Sequence, residues 1–278
     1  LSRLSPQEAA QLRDSVIREK DRRRYRRSYF EFGRDAFPIV AGQPFIGGRH
    51  FSVLVRHLEA VARKDDPVGH ISRLLINMPP STGKSYWVSQ VFVPWVWSWW
   101  PSCRVMYFSY NLPRAIKDSV AARTLIQSRW YQDLFGADYT ISDVDDTKSY
   151  YVNSKGGYRQ TSTVGGLATG EHPDIIIADD ITSADQIKSY AFREGRRTWY
   201  FETMATRGIG RDCAHIINEQ RLDVEDLSWH ILRFMQKEIA EHGSHDWHHV
   251  CLPMWFDPNH PYLMKDRGYG GDWRTTEG

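Results

Sequence analysis

A chain of 278 residues that is 41% hydrophobic, with 20 glycines and 13 prolines, has the makeup of an ordinary globular protein: one large domain, or one with appendages. Its net charge of +2 is no global nucleic-acid signature, so any DNA contact must come from local patches. Cys103, Cys213 and Cys251 lie far apart with no C-x-x-C pair, which argues against a disulfide framework or zinc site and for buried thiols in a reducing compartment.

Leu1 to Gln11 has no apolar core of the signal-peptide kind, and the missing initiator Met and polar ending suggest a domain of a longer protein. Residues 1–40 read as a basic, helical lead-in. Ser5-Pro6-Gln7-Glu8 is a helix start with Ser5 as cap, and Arg13 to Arg27 carries eight Lys/Arg against three Asp/Glu. A solvated helix face is the default for such a run, with DNA or partner contact as the alternative. Tyr25, Tyr29, Phe30 and Phe32 imply that one side docks on the body.

Residues 41–255 read as the main domain. Gly42 to Gly48 is a loop, followed by a helix from His50 to Arg63 with Phe51, Leu54, Val55 and Leu58 at helical spacing. Leu74-Leu75-Ile76 then reads as a buried strand, broken at Pro79-Pro80 and continued by Ser81-Thr82-Gly83-Lys84-Ser85. Strand, tight loop, Gly-Lys-Ser and helix are the context of a phosphate-binding loop, although Met78 stands where the general pattern has glycine. Backbone N–H groups of Pro80 to Ser85, proline excepted, would cradle phosphates, Lys84 would meet the β- and γ-phosphates of ATP, and Ser85 would hold Mg²⁺. Gln43 and His50, just upstream, are candidates for the adenine.

Trp87 to Trp100 is the most apolar stretch, but it contains Pro94 and is too short to span a bilayer, so it reads as a core helix and the membrane is not expected as a partner. Arg104 to Tyr110 is a second strand, a helix runs from Asn111 to about Ser128, and short hairpin strands follow near 150–152 and 158–161. Alternating strands and helices imply an α/β fold with a mainly parallel sheet.

Asp174 to Asp180, DIIIADD, reads as an apolar strand ending in two acids and lying beside the phosphate-loop strand. Asp179 would hold the metal through its water shell and Asp180 would act as general base on the attacking water. A helix from Ser189 to Met204 and a strand from Cys213 to Asn218 follow, and Gln220 at its polar end is a candidate γ-phosphate sensor. His242, His245, His248 and His249 read as a solvated loop, since nothing completes a metal site around them. From Asp257 the chain is turn-rich, so residues 256–278 read as a linker or tail.

Taken in order, MPPSTGKS (78–85), SYNL (109–112), SRWYQDLFG (128–136), GGLATG (165–170), DIIIADD (174–180), the 189–207 helix and INEQRLDVEDL (217–227) make the chain resemble the ATPase domain of a tailed-bacteriophage large terminase subunit. The resemblance spans most of residues 45–230. It implies a P-loop fold of the ASCE/RecA-like division and an ATP-driven motor that packages double-stranded DNA. It also implies a homo-oligomeric, pentameric ring at the portal protein, a small terminase partner and a location in the host cytoplasm. A C-terminal nuclease domain is implied beyond the final DWRTTEG, so DNA cleavage is not expected from these residues. Two departures stand out. Asp180 occupies a position where Glu is common, and no arginine nearer than Arg159 precedes Asp179. Arg159, Arg207 and Arg221 are candidates for the arginine finger. A helicase-like remodeller and a nucleotide-gated binding module are the competing readings.

Overall fold

The computed structural model describes residues 5–166, 172–204 and 213–275. Two helices open the chain: α1 (Pro6–Arg27) and α2 (Tyr29–Ala41), parted at Ser28, so the lead-in is two helices rather than one. Ser5 and Glu8 form a reciprocal capping box, with Glu8 N–H donating to Ser5 Oγ at 3.2 Å and Ser5 N–H to the Glu8 carboxylate at 2.8 Å. The arginine run of α1 is largely committed to the body. Arg22 and Arg26 both donate to Asp138, at 2.9 and 2.6 Å, and Arg24 pairs with Asp35 at 3.2 Å. Leu12, Val16 and Ile17, further up the helix, are exposed.

Helix α3 (Arg49–Ala62) leads to β1 (Arg73–Asn77), the phosphate-loop segment, a π-helical stretch (Tyr86–Val91) and α4 (Phe92–Trp97). Then come β2 (Val105–Ser109), α5 (Leu112–Gln127), α6 (Arg129–Phe135), β3 (Ile141–Asp146), β4 (Tyr150–Asn153), β5 (Tyr158–Thr163) and β6 (Ile175–Asp179). Helix α7 (Tyr190–Thr198), β7 (Ala214–Glu219), α8 (Leu227–His242) and β8 (Trp247–Cys251) complete the order. Among the described residues the strands form one sheet in the order β3-β4-β5-β2-β6-β7-β1-β8. From β5 to β8 every pairing is parallel, and β4 and β3 close the other edge antiparallel.

Period-two alternation divides the core. Leu74, Ile76, Val105, Tyr107, Ile175, Ile177 and Ile216 face the layer of α2, α3, α4 and α5, whereas Leu75, Met106, Phe108, Ile176, Ala178 and Ile217 face the helical stretch Trp199–Met204 and α8. No helix among the described residues is long and apolar enough to cross a membrane. The tryptophan-rich segment is core: Trp87, Trp95 and Trp97 are fully buried, with Trp87 between Tyr29, Phe30, Phe45 and Phe51. Gly33 of α2 makes room for it, since a Cβ there would lie 2.0 Å from the Trp87 ring. Gly33→Ala is therefore expected to lower stability by roughly 1–3 kcal/mol. Calorimetry would read this as a melting temperature about 2–4 °C lower per kcal/mol; an unchanged transition would contradict this packing.

The segment after β8 folds back on the body. Tyr269 donates to Gly69 O at 2.9 Å, with Arg56 over its ring, and Arg274 donates to Pro253 O at 2.8 Å. Against the expectation of a solvated histidine loop, His248 and His249 lie in β8. His249 is hydrogen-bonded to Asn77 Oδ1 at 2.8 Å, and burial drives its pKa down to about 3. Of these histidines His242 alone joins a group of possible ligands among the described residues, with Glu238 and Glu241 on the surface of α8.

Candidate active site

The phosphate-loop segment spans the gap between the C-terminal end of β1 and the helix beyond it, and two of its residues are left-handed: Ser81 at φ 62° and Gly83 at φ 74°. Gly83 needs its missing side chain twice over, because a Cβ would also lie 2.9 Å from the Phe51 ring. Ser81 adopts this conformation without that freedom, a local strain of order 1 kcal/mol or more that functional loops often hold. Lys84 and Ser85 are the first helical residues after the loop. The Lys84 ammonium is buried, and its recorded partner is Pro79 O at 3.4 Å. No carboxylate lies within ion-pair distance of it among the described residues. A buried cation so poorly paired suits an anionic ligand.

His50 lies against this loop, with Nε2 3.2 Å from Thr82 O, and burial lowers its pKa. Gln43 is exposed in the loop before α3 and makes no recorded contact with the phosphate loop.

Strand β6 delivers the two acids to the same edge, but not from the neighbouring position. Strand β7 lies between β1 and β6, pairing Leu75 with Ile217 on one side and Ala178 with Ile217 on the other. This corrects the expectation that the acid-bearing strand adjoins the phosphate-loop strand. The intervening strand contributes directly to the acid cluster. Asn218 of β7 donates to Asp179 Oδ1 at 2.6 Å, while Ser89 and Tyr107 donate to Oδ2 at 2.5 and 2.9 Å. Asp179 is thus a fixed carboxylate with donors on both oxygens. Its fit to Mg²⁺ is through water, since the groups around it already fill much of its coordination. Asn218 Oδ1, buried beside it and without a partner, is an acceptor that water of a hydrated cation could use. Ser85 Oγ and Asp179 are the residues that would hold the metal.

Asp180 is at φ 43°, another non-glycine left-handed residue. Its backbone is held on both sides: its N–H donates to Asn218 O at 2.8 Å, and its carbonyl accepts from Tyr110 N–H at 3.1 Å. The carboxylate accepts from Gln220 N–H at 3.4 Å. Burial, then the adjacent Asp179, push its pKa above the usual carboxylate range, with Lys84 opposing them. This is the environment of a proton acceptor. Gln220 therefore meets Asp180 through its backbone, and it lines a cavity of about 380 Å³ with Met78, Pro80, Arg221 and Tyr262.

The arginine candidates separate clearly. Arg159 is fully buried in β5, donating to Ser89 O at 2.7 Å over the Tyr107 ring, and so cannot be presented to a phosphate or another subunit. It supports the Asp179 cluster from behind. Arg221 pairs with Asp226 at 2.8 Å, and Arg207 lies outside the described residues, as does part of the 165–170 glycine-rich segment. The arginine nearest Ser85 is one the sequence did not single out: Arg114, near the start of α5, with Nη2 3.4 Å from Ser85 Oγ. The signal that could have found it is position, as the first arginine after SYNL.

No protein-family model matches the chain, and no curated protein matches it. Among solved structures, the HK97 bacteriophage large terminase is similar at 12% identity and TM-score 0.48, over 81% of this chain and 42% of that one. A large terminase from a thermophilic bacteriophage follows at 13% identity and TM-score 0.46, over 75% of this chain and 46% of that one. The Thermus phage P74-26 large terminase ATPase domain, as a mutant, stands at 12% and 0.46, over 70% of this chain and 84% of that one. The chain thus spans less than half the length of the first two.

Proposed function

We propose that this chain binds and hydrolyses Mg²⁺-ATP, and that hydrolysis drives movement of double-stranded DNA during packaging into a viral procapsid. The observation that carries the ATPase reading is one sheet edge that places a buried, acid-free Lys84 opposite a fixed Asp179 and a strained, desolvated Asp180. Lys84 orients the β- and γ-phosphates, and the loop amides bind their oxygens. Asp180 takes a proton from water as that water's oxygen bonds to the γ-phosphorus, and the bond to the β–γ bridging oxygen breaks, leaving ADP and phosphate. Mg²⁺, held by Ser85 and Asp179, supplies charge neutralisation at those phosphates when bound.

The DNA-packaging half of the proposal is supported by the motif series from MPPSTGKS to INEQRLDVEDL. With it go a pentameric ring of identical subunits at the portal protein, a small terminase subunit and the host cytoplasm. Binding to DNA is expected to be sequence-independent and to weaken steeply with salt. The test is ATP-dependent displacement of a triplex-forming strand from intact duplex by the assembled motor. Displacement without strand separation is the expected result. Opening of a labelled fork would instead favour a helicase-like remodeller.

A further inference from the structure

Other arginines of the sheet and its flanking helices already hold partners that they would have to abandon to reach a phosphate. Arg104, at the opposite end of the sheet, is forked onto Asp174 at 3.0 and 3.1 Å, Arg123 is paired with Asp146, and Arg221 with Asp226. Arg193 donates to Ile187 O at 2.8 Å, and Arg159 is sealed in the core. Arg114 differs. Its guanidinium is exposed, and its recorded side-chain contact is the long one to the Ser85 hydroxyl. No carboxylate pairs with it among the described residues.

Its position is fixed by the sheet. Strand β2 lies directly beside β6, and the end of β2 is tied to the catalytic acid's backbone: Tyr110 N–H donates to Asp180 O at 3.1 Å and Ser109 Oγ to the same oxygen at 3.4 Å. Asn111 then caps α5, its Oδ1 accepting Arg114 N–H at 3.1 Å. Four residues after Tyr110, the chain delivers a guanidinium with no carboxylate partner to the Ser85 hydroxyl. The Arg114 charge acts on the Asp180 carboxyl, with Lys84 acting in the same sense.

We infer that Arg114 is the arginine that engages the γ-phosphoryl group, and that it acts within its own chain. This rests on the ATPase reading. Ser85 is the residue that would hold Mg²⁺, and that role would free Arg114 from the hydroxyl. The planar guanidinium can then donate to two γ-oxygens at once and offset the charge that spreads over them as the bond to the bridging oxygen breaks.

The experiment measures binding of MgADP and of MgADP–aluminium fluoride, which imitates the phosphoryl group in transfer, to the wild-type chain and to Lys84→Ala, Arg114→Ala and Arg114→Lys. Arg114 is exposed, so its variants are expected to fold and to bind MgADP as wild type does. Arg114→Ala should bind the aluminium fluoride complex about 10²-fold more weakly, the usual scale for one lost donor to a transition state. Arg114→Lys should recover part of that loss, and Lys84→Ala should lose both ligands. Equal affinity of Arg114→Ala and wild type for the aluminium fluoride complex would overturn the assignment. So would recovery of ATP turnover when Arg114→Ala chains are mixed with Asp180→Asn chains, neither of which turns over alone, because the arginine would then act between subunits. Failure of the wild-type chain to bind MgADP at all overturns the ATPase reading itself, a separate and recognisable result.

Discussion

Lys84→Ala is expected to weaken MgATP binding by about 30- to 4,000-fold, the range that 2–5 kcal/mol for one member of a buried, hydrogen-bonded charge pair implies. The same change should not destabilise the nucleotide-free protein. Lys84 is buried with one long contact to a carbonyl, so without phosphate its ammonium is poorly compensated, and removing it relieves a desolvation cost. Two readouts therefore move in opposite senses. Nucleotide affinity collapses in a fluorescence titration, while the melting temperature of the apo form holds or rises. A fall in apo stability together with unchanged affinity would mean that Lys84 is a structural cation.

Asp180→Asn is expected to abolish turnover yet leave MgATP binding intact, because the amide keeps the shape and the Gln220 N–H contact but takes no proton. Apo stability should rise, on the order of 1 kcal/mol or about 2–4 °C, since a desolvated carboxylate next to Asp179 is replaced by a neutral group that tolerates positive φ. The pH dependence has a definite sign. The Asp180 pKa is raised in the folded protein, so its contribution to stability is fully present below the unfolded carboxyl value and is lost as pH rises through the folded one. Turnover runs the other way, because the base must be ionised: its acid limb should sit above the ordinary aspartate value. Glu219, buried nearby at the end of β7 with its pKa pushed well up by burial, adds stability of the same sign, so Asp180→Asn should reduce this pH dependence without removing it.

How much of this was legible in the sequence follows from where each signal resides. Strands β1, β2, β6 and β7 are buried on both faces, so they read as short apolar runs, and the phosphate-loop chemistry is local enough to read directly. Strand β3, ISDVDD, lies at the sheet edge and carries almost no apolar signal. Helix α8 buries only Leu227, Ser228, Ile231 and Leu232, a stripe too narrow to announce itself. The place of β7 between β1 and β6 is a pairing of residues more than a hundred positions apart, which no local pattern encodes. The arginines are hidden from local reading for the same reason. Among the candidates Arg159 is near Asp179 in sequence, but side-chain alternation along β5 turns it into the core, while Arg114, some 66 positions before Asp180, arrives through the β2–β6 pairing. The histidines of β8 looked solvated because their partners, Asn77 and the folded-back Tyr262 and Tyr269, are distant in the chain.

The most direct test of the account is a single-turnover measurement of phosphate release from ATP, with the protein in excess so that slow turnover still registers. The account predicts Mg²⁺-dependent release by the wild-type chain and none by Asp180→Asn, although the variant still binds ATP. Stoichiometric ATP binding with no release by the wild type, or release that Asp180→Asn leaves unchanged, would contradict it.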